Sequence, residues 1–169
     1  AHSALVLDDH SSARVVETGL LARLAGPILL PGPHVVDVDR REEEHEEEGT
    51  ETVVAARHDG YRRAYGVLHQ RTLRLAADGD RLDGVDRVLP ASEGTSVAVR
   101  YVVRFHLHPS LAVEIVSDAV RLTAPNGEAW DFVCADVVPE IEPSVHLAEA
   151  HGLARAEQIT LTVPADGPR

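Results

Sequence analysis

The segment His58-Asp59-Gly60-Tyr61-Arg62-Arg63, continuing through Gly66-Val67-Leu68-His69-Gln70-Arg71, concentrates side chains that move protons and hold carboxylates. Imidazole titrates near neutral pH and can act as a base, and guanidinium grips a carboxylate through two parallel hydrogen bonds. The same residues also have a plainer reading, with Asp59-Gly60 as a turn and the arginines along an exposed strand. A second group is Arg104-Phe105-His106-Leu107-His108-Pro109. On a strand, the period of two puts Arg104, His106 and His108 on one face and Phe105 and Leu107 on the other. Two imidazoles on one face can chelate a metal, and Glu114 would be the third ligand of a cupin-like metal-binding protein, although Pro109 and the spacing fit that pattern poorly. Histidines that bond neighbouring strands, or that contact a ligand, are the competing readings. No nucleophile signature is present: there is no Gly-x-Ser-x-Gly, no Gly-rich phosphate loop, and no local activating pattern around Cys134.

Strands must position these groups. Segments of about five to ten residues alternate apolar and polar side chains between Gly, Pro, Asp and Asn. In Gln70–Leu75 the alternation turns Leu73 and Leu75 to a core and Thr72 and Arg74 to water; in Glu157–Val163 it turns Ile159, Leu161 and Val163 inward and Gln158, Thr160 and Thr162 outward. Further strands are expected at Ala4–Leu7, Val35–Val38, Thr52–Arg57, Val85–Leu89, Ser96–His108, Ala112–Val116, Ala119–Thr123 and Glu128–Val133. Ala77-Asp78-Gly79-Asp80 and Pro125-Asn126-Gly127 read as hairpin turns, the second as a type I′ turn through Asn-Gly. Helix is expected only at Glu17–Ala25 and, more weakly, near Val145–Ala156. The fold class is therefore all-β, an antiparallel β-sandwich of about ten or more strands with little helix.

Composition bounds the function. The 169 residues are 44% hydrophobic and 26% charged, which suits one globular domain. Sixteen basic against 28 acidic residues give −12, the wrong sign for a protein that neutralises phosphates, so nucleic acid is not an expected partner. No apolar run reaches the roughly 18 to 20 residues of a membrane span, so no membrane is expected either. A lone Cys134 permits no internal disulfide and leaves the compartment open. The chain has no Met and no Lys; the first suggests a piece of something longer and the second a GC-rich bacterial origin. The run Glu42-Glu43-Glu44-His45-Glu46-Glu47-Glu48 carries half of the net charge. It reads as a solvated hairpin loop, because it lacks the alternating ligands and turn glycine of a calcium loop.

Taken in order, Ala1-His2-Ser3-Ala4-Leu5, His58-Asp59-Gly60-Tyr61-Arg62, Gly66 through His69 with Arg71, Ala77–Asp80, Gly84-x-Asp86, Arg104–Pro109, Gly127-x-x-Trp130 and Gln158-Ile159 form a colinear set. That set resembles the C-terminal domain of bacterial heparinase II/III-like proteins across nearly the whole chain. The departures are the Glu-rich insert and Ala4, where the family more often has Thr. The resemblance implies a polysaccharide lyase with an N-terminal α-helical domain, cleaving a uronic-acid-containing acidic polysaccharide, such as a glycosaminoglycan or alginate, by β-elimination. Residues 1–169 would be its single C-terminal β-sandwich domain, inactive alone because most catalytic residues lie upstream. It further implies that His2 sits where relatives hold a divalent metal, zinc or calcium, with partner ligands upstream, and that His58, Tyr61 and His106 face substrate in the whole protein. A periplasmic parent is compatible with the resemblance. The alternative is a non-catalytic carbohydrate-binding or structural β module, for which one Trp and 4% aromatics offer few stacking platforms.

Overall fold

The computed structural model describes residues 4–13, 15–16, 28–29, 32–45, 49–94, 100–149 and 152–165. They form strands β1 (Ala4–Leu7), β2 (Val15–Val16), β3 (Ile28–Leu29), β4 (Val36–His45), β5 (Gly49–His58), β6 (Val67–Leu75), β7 (Leu82–Pro90), β8 (Tyr101–His106), β9 (Ala112–Val116), β10 (Ala119–Thr123), β11 (Ala129–Phe132), β12 (Glu140–Glu149) and β13 (Gly152–Val163). One helical turn, α1 (Arg62–Tyr65), joins β5 to β6. All pairings are antiparallel, as the alternating pattern requires. No helix among the described residues is long and apolar enough to cross a membrane. The chain groups into two compact units, one of Ala1–His10 with Val99–Pro168, the other of Ser11–Ala98 with Arg169.

The first unit is a two-sheet sandwich. Its larger sheet runs β1-β8-β13-β12 and its smaller one β11-β10-β9. Register sets Phe105, Ile159 and Ile141 side by side on one face of the larger sheet. With Leu107, Leu111, Val113, Val120, Leu122 and Phe132 they close a core in which Val120 and Ile159 are wholly buried. Fully burying an aliphatic side chain of this size contributes about 1.5–3 kcal/mol, so a few such residues account for the sandwich's cohesion. Residues one step along the same strands, Arg104, His106, Gln158 and Glu142, share the opposite face, so Arg104 and His106 do lie away from Phe105 as the alternation requires.

The second unit is built on a meander, β4-β5-β6-β7. Its β6–β7 turn has Gly79 at φ +79, with the Gly79 amide donating to the Ala76 carbonyl and Asp80 N–H to the Asp78 carboxylate. Gly66, at φ +67, ends α1 in the left-handed conformation that glycine adopts without steric cost.

Several expectations are corrected. Val145–Ala156 is not helical: it divides between β12 and β13, with Gly152 at φ +111 starting the second strand. Hairpin pairing of β12 with β13, which sets Val145 opposite Arg155 and His146 opposite Ala154, overrides the local helical pattern, and Pro143 is tolerated because β12 is an edge strand. Asn126-Gly127 does not form a type I′ turn. Its Gly127 N–H donates to the Ala124 carbonyl and only Gly127 has positive φ, so Pro125 and Asn126 are the central residues. Leu73 and Leu75 are 37% and 42% exposed rather than buried. Conversely, Gln158 (8% exposed) and Thr160 (1%) are buried rather than water-facing, as is Val102 on the same face of β8, so this face of the sheet is covered too. Glu42–His45 belong to β4 rather than to a loop, paired with Gly49–Thr52. Residues 46–48, the Glu17–Ala25 segment and the Ser96–Val99 part of the expected β8 lie outside the described residues.

Candidate functional site

Register in the second unit places His58 opposite His69 on β5 and β6, and Arg71 opposite Asp86 on β6 and β7. The four share one face of the meander. His58 is held at the far end of β5 by the turn that follows: the Asp59 carboxylate accepts the His34 and Val35 N–H groups at 2.8 and 3.0 Å, and Gly60 N–H donates to His58 Nδ1 at 3.2 Å. Those backbone donors, Val35 foremost, hold the Asp59 carboxyl below its ordinary range.

These contacts dictate where the imidazole protons are. Since His58 Nδ1 accepts from Gly60, its proton is on Nε2, which lies 3.1 Å from His69 Nδ1. His69 therefore accepts at Nδ1 and donates from Nε2 to Asp86 Oδ1, 2.7 Å away. The Asp86 carboxylate also receives Arg71 Nε and an Arg71 terminal nitrogen, both at 2.9 Å. The result is a one-way chain: Gly60, His58, His69, Asp86, with Arg71 closing the acidic end. Burial alone would push the Asp86 carboxyl up, but the bonds from His69 and Arg71 prevail and hold it low. Burial, and then the neighbouring His69, push the His58 imidazole down, favouring the neutral ring that the chain requires.

Tyr61 caps α1 and is 2% exposed, with its ring 5.8 Å from that of His58. Burial raises its phenol to about 12, against the opposing effect of hydrogen bonds with Ser12. A phenol so placed keeps its proton at neutral pH. His58 and Tyr61 are thus brought together, as their spacing suggests, in a buried turn.

His106 lies in the other unit. Its Nδ1 is 2.7 Å from Ser144 Oγ on β12. His108 falls beyond the end of β8, where strand alternation no longer applies; its Nδ1 meets Ser110 Oγ at 2.7 Å and its ring lies 4.9 Å from that of His146. His106, His108 and Glu114 do not converge as metal ligands among the described residues. Among the described residues, the ligand-type group that does converge is Glu43, His45 and Glu51, in the meander. It fits a divalent cation poorly, because the Arg74 guanidinium already donates to both carboxylates, at 2.7 and 3.0 Å. His2 lies outside the described residues.

The family model for the heparinase II/III-like C-terminal domain matches residues 1–169. The chain belongs to this family. A relative called FtsZ-localized protein C, from Caulobacter vibrioides, is 35% identical over 170 residues, which cover 95% of this chain and 28% of that protein. The chain thus spans little more than a quarter of the relative's length. No solved structure matches. Within this heparinase II/III-like domain, His69, Asp86 and Gln158 stood in the motifs read from the sequence without a site role of their own, and Glu142 and Ser144 were not singled out at all. Hairpin register was the signal that could have exposed His69 and Asp86 as partners.

Proposed function

We propose that this domain is the β-sandwich portion of a polysaccharide lyase that cleaves a uronic-acid-containing acidic polysaccharide by β-elimination, and that it does no chemistry alone. The family match over the whole chain carries this reading. Elimination requires a base that can reach the uronate C5 proton and a group that neutralises the neighbouring carboxylate. The described side chains support an inactive piece: Tyr61 is buried and protonated, both ring nitrogens of His58 are engaged, and Arg71 is committed to Asp86. In this reading the base and its partners come from an α-helical part of the parent protein, and His2 with upstream ligands would hold the divalent metal. The helical part also answers a feature of the meander, whose face bearing His58 leaves Val36, Val38, Leu73, Leu75 and Leu82 exposed, the kind of apolar patch that another surface covers.

The test is ultraviolet absorbance of the unsaturated uronate product. The full-length parent, given alginate and glycosaminoglycan polymers, should generate it, and this chain alone should not. Silence of the parent across the panel would sink the lyase assignment; product from the chain alone would overturn its inactivity. The Caulobacter relative favours a second reading, a non-catalytic β module in a protein localised with FtsZ. A fluorescent fusion of the parent that co-localises with FtsZ while producing no unsaturated uronate would favour it.

A further inference from the structure

The core of the sandwich unit is open at one end. On β13 the alternation that turns Ile159 into the core turns Glu157 and Arg155 to the same side, two and four residues earlier, opposite Pro143 and Val145 of β12. Leu107 N–H donates to the Glu157 carbonyl at 2.9 Å and Leu111 N–H to the His108 carbonyl at 3.1 Å, so the chain leaving β8 runs beside Glu157 and then turns before β9. A cavity of about 180 Å³ lies among these segments, with Leu107, Leu111 and Val113 of the hydrophobic core as its apolar wall and the exposed His108, Arg155 and Glu157 as its polar one. An apolar cavity of roughly 150 Å³ already holds a six-carbon ring. The charges of the polar wall are not paired. Arg155 and Glu157 make no side-chain hydrogen bond or ion pair among the described residues. Same-face residues two apart on a strand stand about 7 Å apart, a gap that Arg41 closes to both Asp39 and Glu43 on β4, at 2.7 Å each. Arg155 and Glu157 have the same spacing and stay unpaired. His108 adds a donor: its Nδ1 accepts from the Ser110 N–H at 3.2 Å and from the Ser110 hydroxyl at 2.7 Å, which puts the imidazole proton on Nε2.

We propose that this cavity binds a free aliphatic α-amino acid of leucine size, with its side chain on Leu107, Leu111 and Val113, its carboxylate on Arg155 and its ammonium group on Glu157. The apolar wall selects an aliphatic group of about four to six carbons, which gains free energy by leaving water. The polar wall selects a zwitterion. A plain anion would satisfy Arg155 but set like charge beside Glu157, and a plain cation would do the reverse. An α-amino acid carries both charges on one carbon, so it places an opposite charge beside each side chain at once. Guanidinium takes a carboxylate through two parallel bonds, and the His108 Nε2–H is a further donor in the same wall. A leucine side chain borne on a peptide would fill the apolar wall and leave both charges unused, so the free amino acid is the occupant that engages the whole cavity.

The experiment is an NMR titration of the full 169-residue chain with L-leucine, reading the Leu111 and Val113 methyls and the Arg155 Nε resonance. Saturable shifts of all three are expected. Isocaproate, which is leucine without its amine, and isopentylamine, which is leucine without its carboxylate, should each bind about fivefold more weakly, the loss of one ionic contact at an exposed wall. Alanine, too short to cover the apolar wall, should bind at least about tenfold more weakly. Arg155→Gln should lower leucine to the affinity of isopentylamine without weakening isopentylamine, and Glu157→Gln should lower it to that of isocaproate without weakening isocaproate. Both positions are exposed, so neither variant removes a core contact. No saturable shift with leucine, either analogue binding as tightly as leucine, or leucine binding untouched by Arg155→Gln or by Glu157→Gln would overturn the site. N-acetyl-leucinamide, uncharged at both ends, binding as tightly as leucine would overturn it in favour of a side chain from a partner protein.

Discussion

Replacing Asp86 by Ala strips the one-way chain of its acceptor. The His69 Nε2–H loses a 2.7 Å bond, and Arg71 loses two bonds of 2.9 Å. The side chains of Asp86, His69 and Arg71 are 14%, 9% and 21% exposed, so what remains is a mostly buried cation that has lost its bonds to the carboxylate, beside a donor that has lost its acceptor. Removing one member of a buried pair costs roughly 3–5 kcal/mol, and the partial access of water to Arg71 argues for the lower end, about 3 kcal/mol. With a urea dependence of about 2 kcal/mol per molar, the unfolding midpoint should fall by about 1.5 M. Urea titration read by hydrogen exchange at the β5 and β6 amides reports the unit concerned. Because much of the cost lies in a buried charge that has lost its carboxylate, Arg71→Leu added to Asp86→Ala should recover part of the loss. The effect also has a pH signature. The Asp86 carboxyl is depressed below its ordinary 3.8, so its contribution is fully present above that value and fades as pH falls through the folded value. The gap between wild type and variant should therefore be widest at neutral pH and close in strong acid. A single-variant loss under about 1 kcal/mol, or a double variant less stable than the single, would refute the chain as a stabilising element.

Titration of His58 by NMR should give a midpoint below its ordinary 6.5, and stability should decline as pH falls from above 6.5 through that midpoint, since the unfolded ring takes up its proton first; a midpoint above 6.5 would contradict the assigned tautomers. Gly60→Ala should destabilise by about 1–3 kcal/mol, because the new Cβ would lie 2.8 Å from Ser12 Cβ and 3.1 Å from both His58 Nδ1 and the Ser12 carbonyl oxygen, and an unchanged urea midpoint would show that the turn can relax. Ile159→Ala, at a wholly buried position in the sandwich core, should cost about 3–4 kcal/mol, read as a fall in the midpoint of the Trp130 fluorescence transition, and a loss below 1 kcal/mol would mean that the core is not closed there.

The strands of this protein were legible because their alternation is local. Ala4–Leu7, Ala112–Val116 and Ala119–Thr123 match β1, β9 and β10 residue for residue. Which side of a strand is buried was less legible, because that depends on what packs against each face of the sheet. Thr160 and Leu73 illustrate the failure from both sides. Each sits in an alternating run on an interior strand, β13 between β8 and β12 and β6 between β5 and β7, yet Thr160 is buried and Leu73 is exposed. The weak helical signal at Val145–Ala156 failed because the segment folds back on itself as the β12–β13 hairpin, with Val145 opposite Arg155 and His146 opposite Ala154, and this cross-strand pairing outweighs the local helical preference.

The histidine chain shows how far turn chemistry reaches into a site. A hairpin folded between Asp78 and Gly79 sets Arg71, seven residues before Asp78, opposite Asp86, seven residues after Gly79. The turn was recognised from Asp-Gly alone, so the salt bridge was already implied by counting outward from it. His69 then falls two residues from Arg71 on the same face, within reach of the same carboxylate. The pairing of His58 with His69 was harder to see, because α1 intervenes and Gly66 must take φ +67 before β6 can return. Gln158 was beyond such counting altogether. Its burial and its orphaned oxygen arise only when the β12–β13 hairpin pairs with β8, about 50 residues earlier in the chain, which is why alternation alone assigns Gln158 to water.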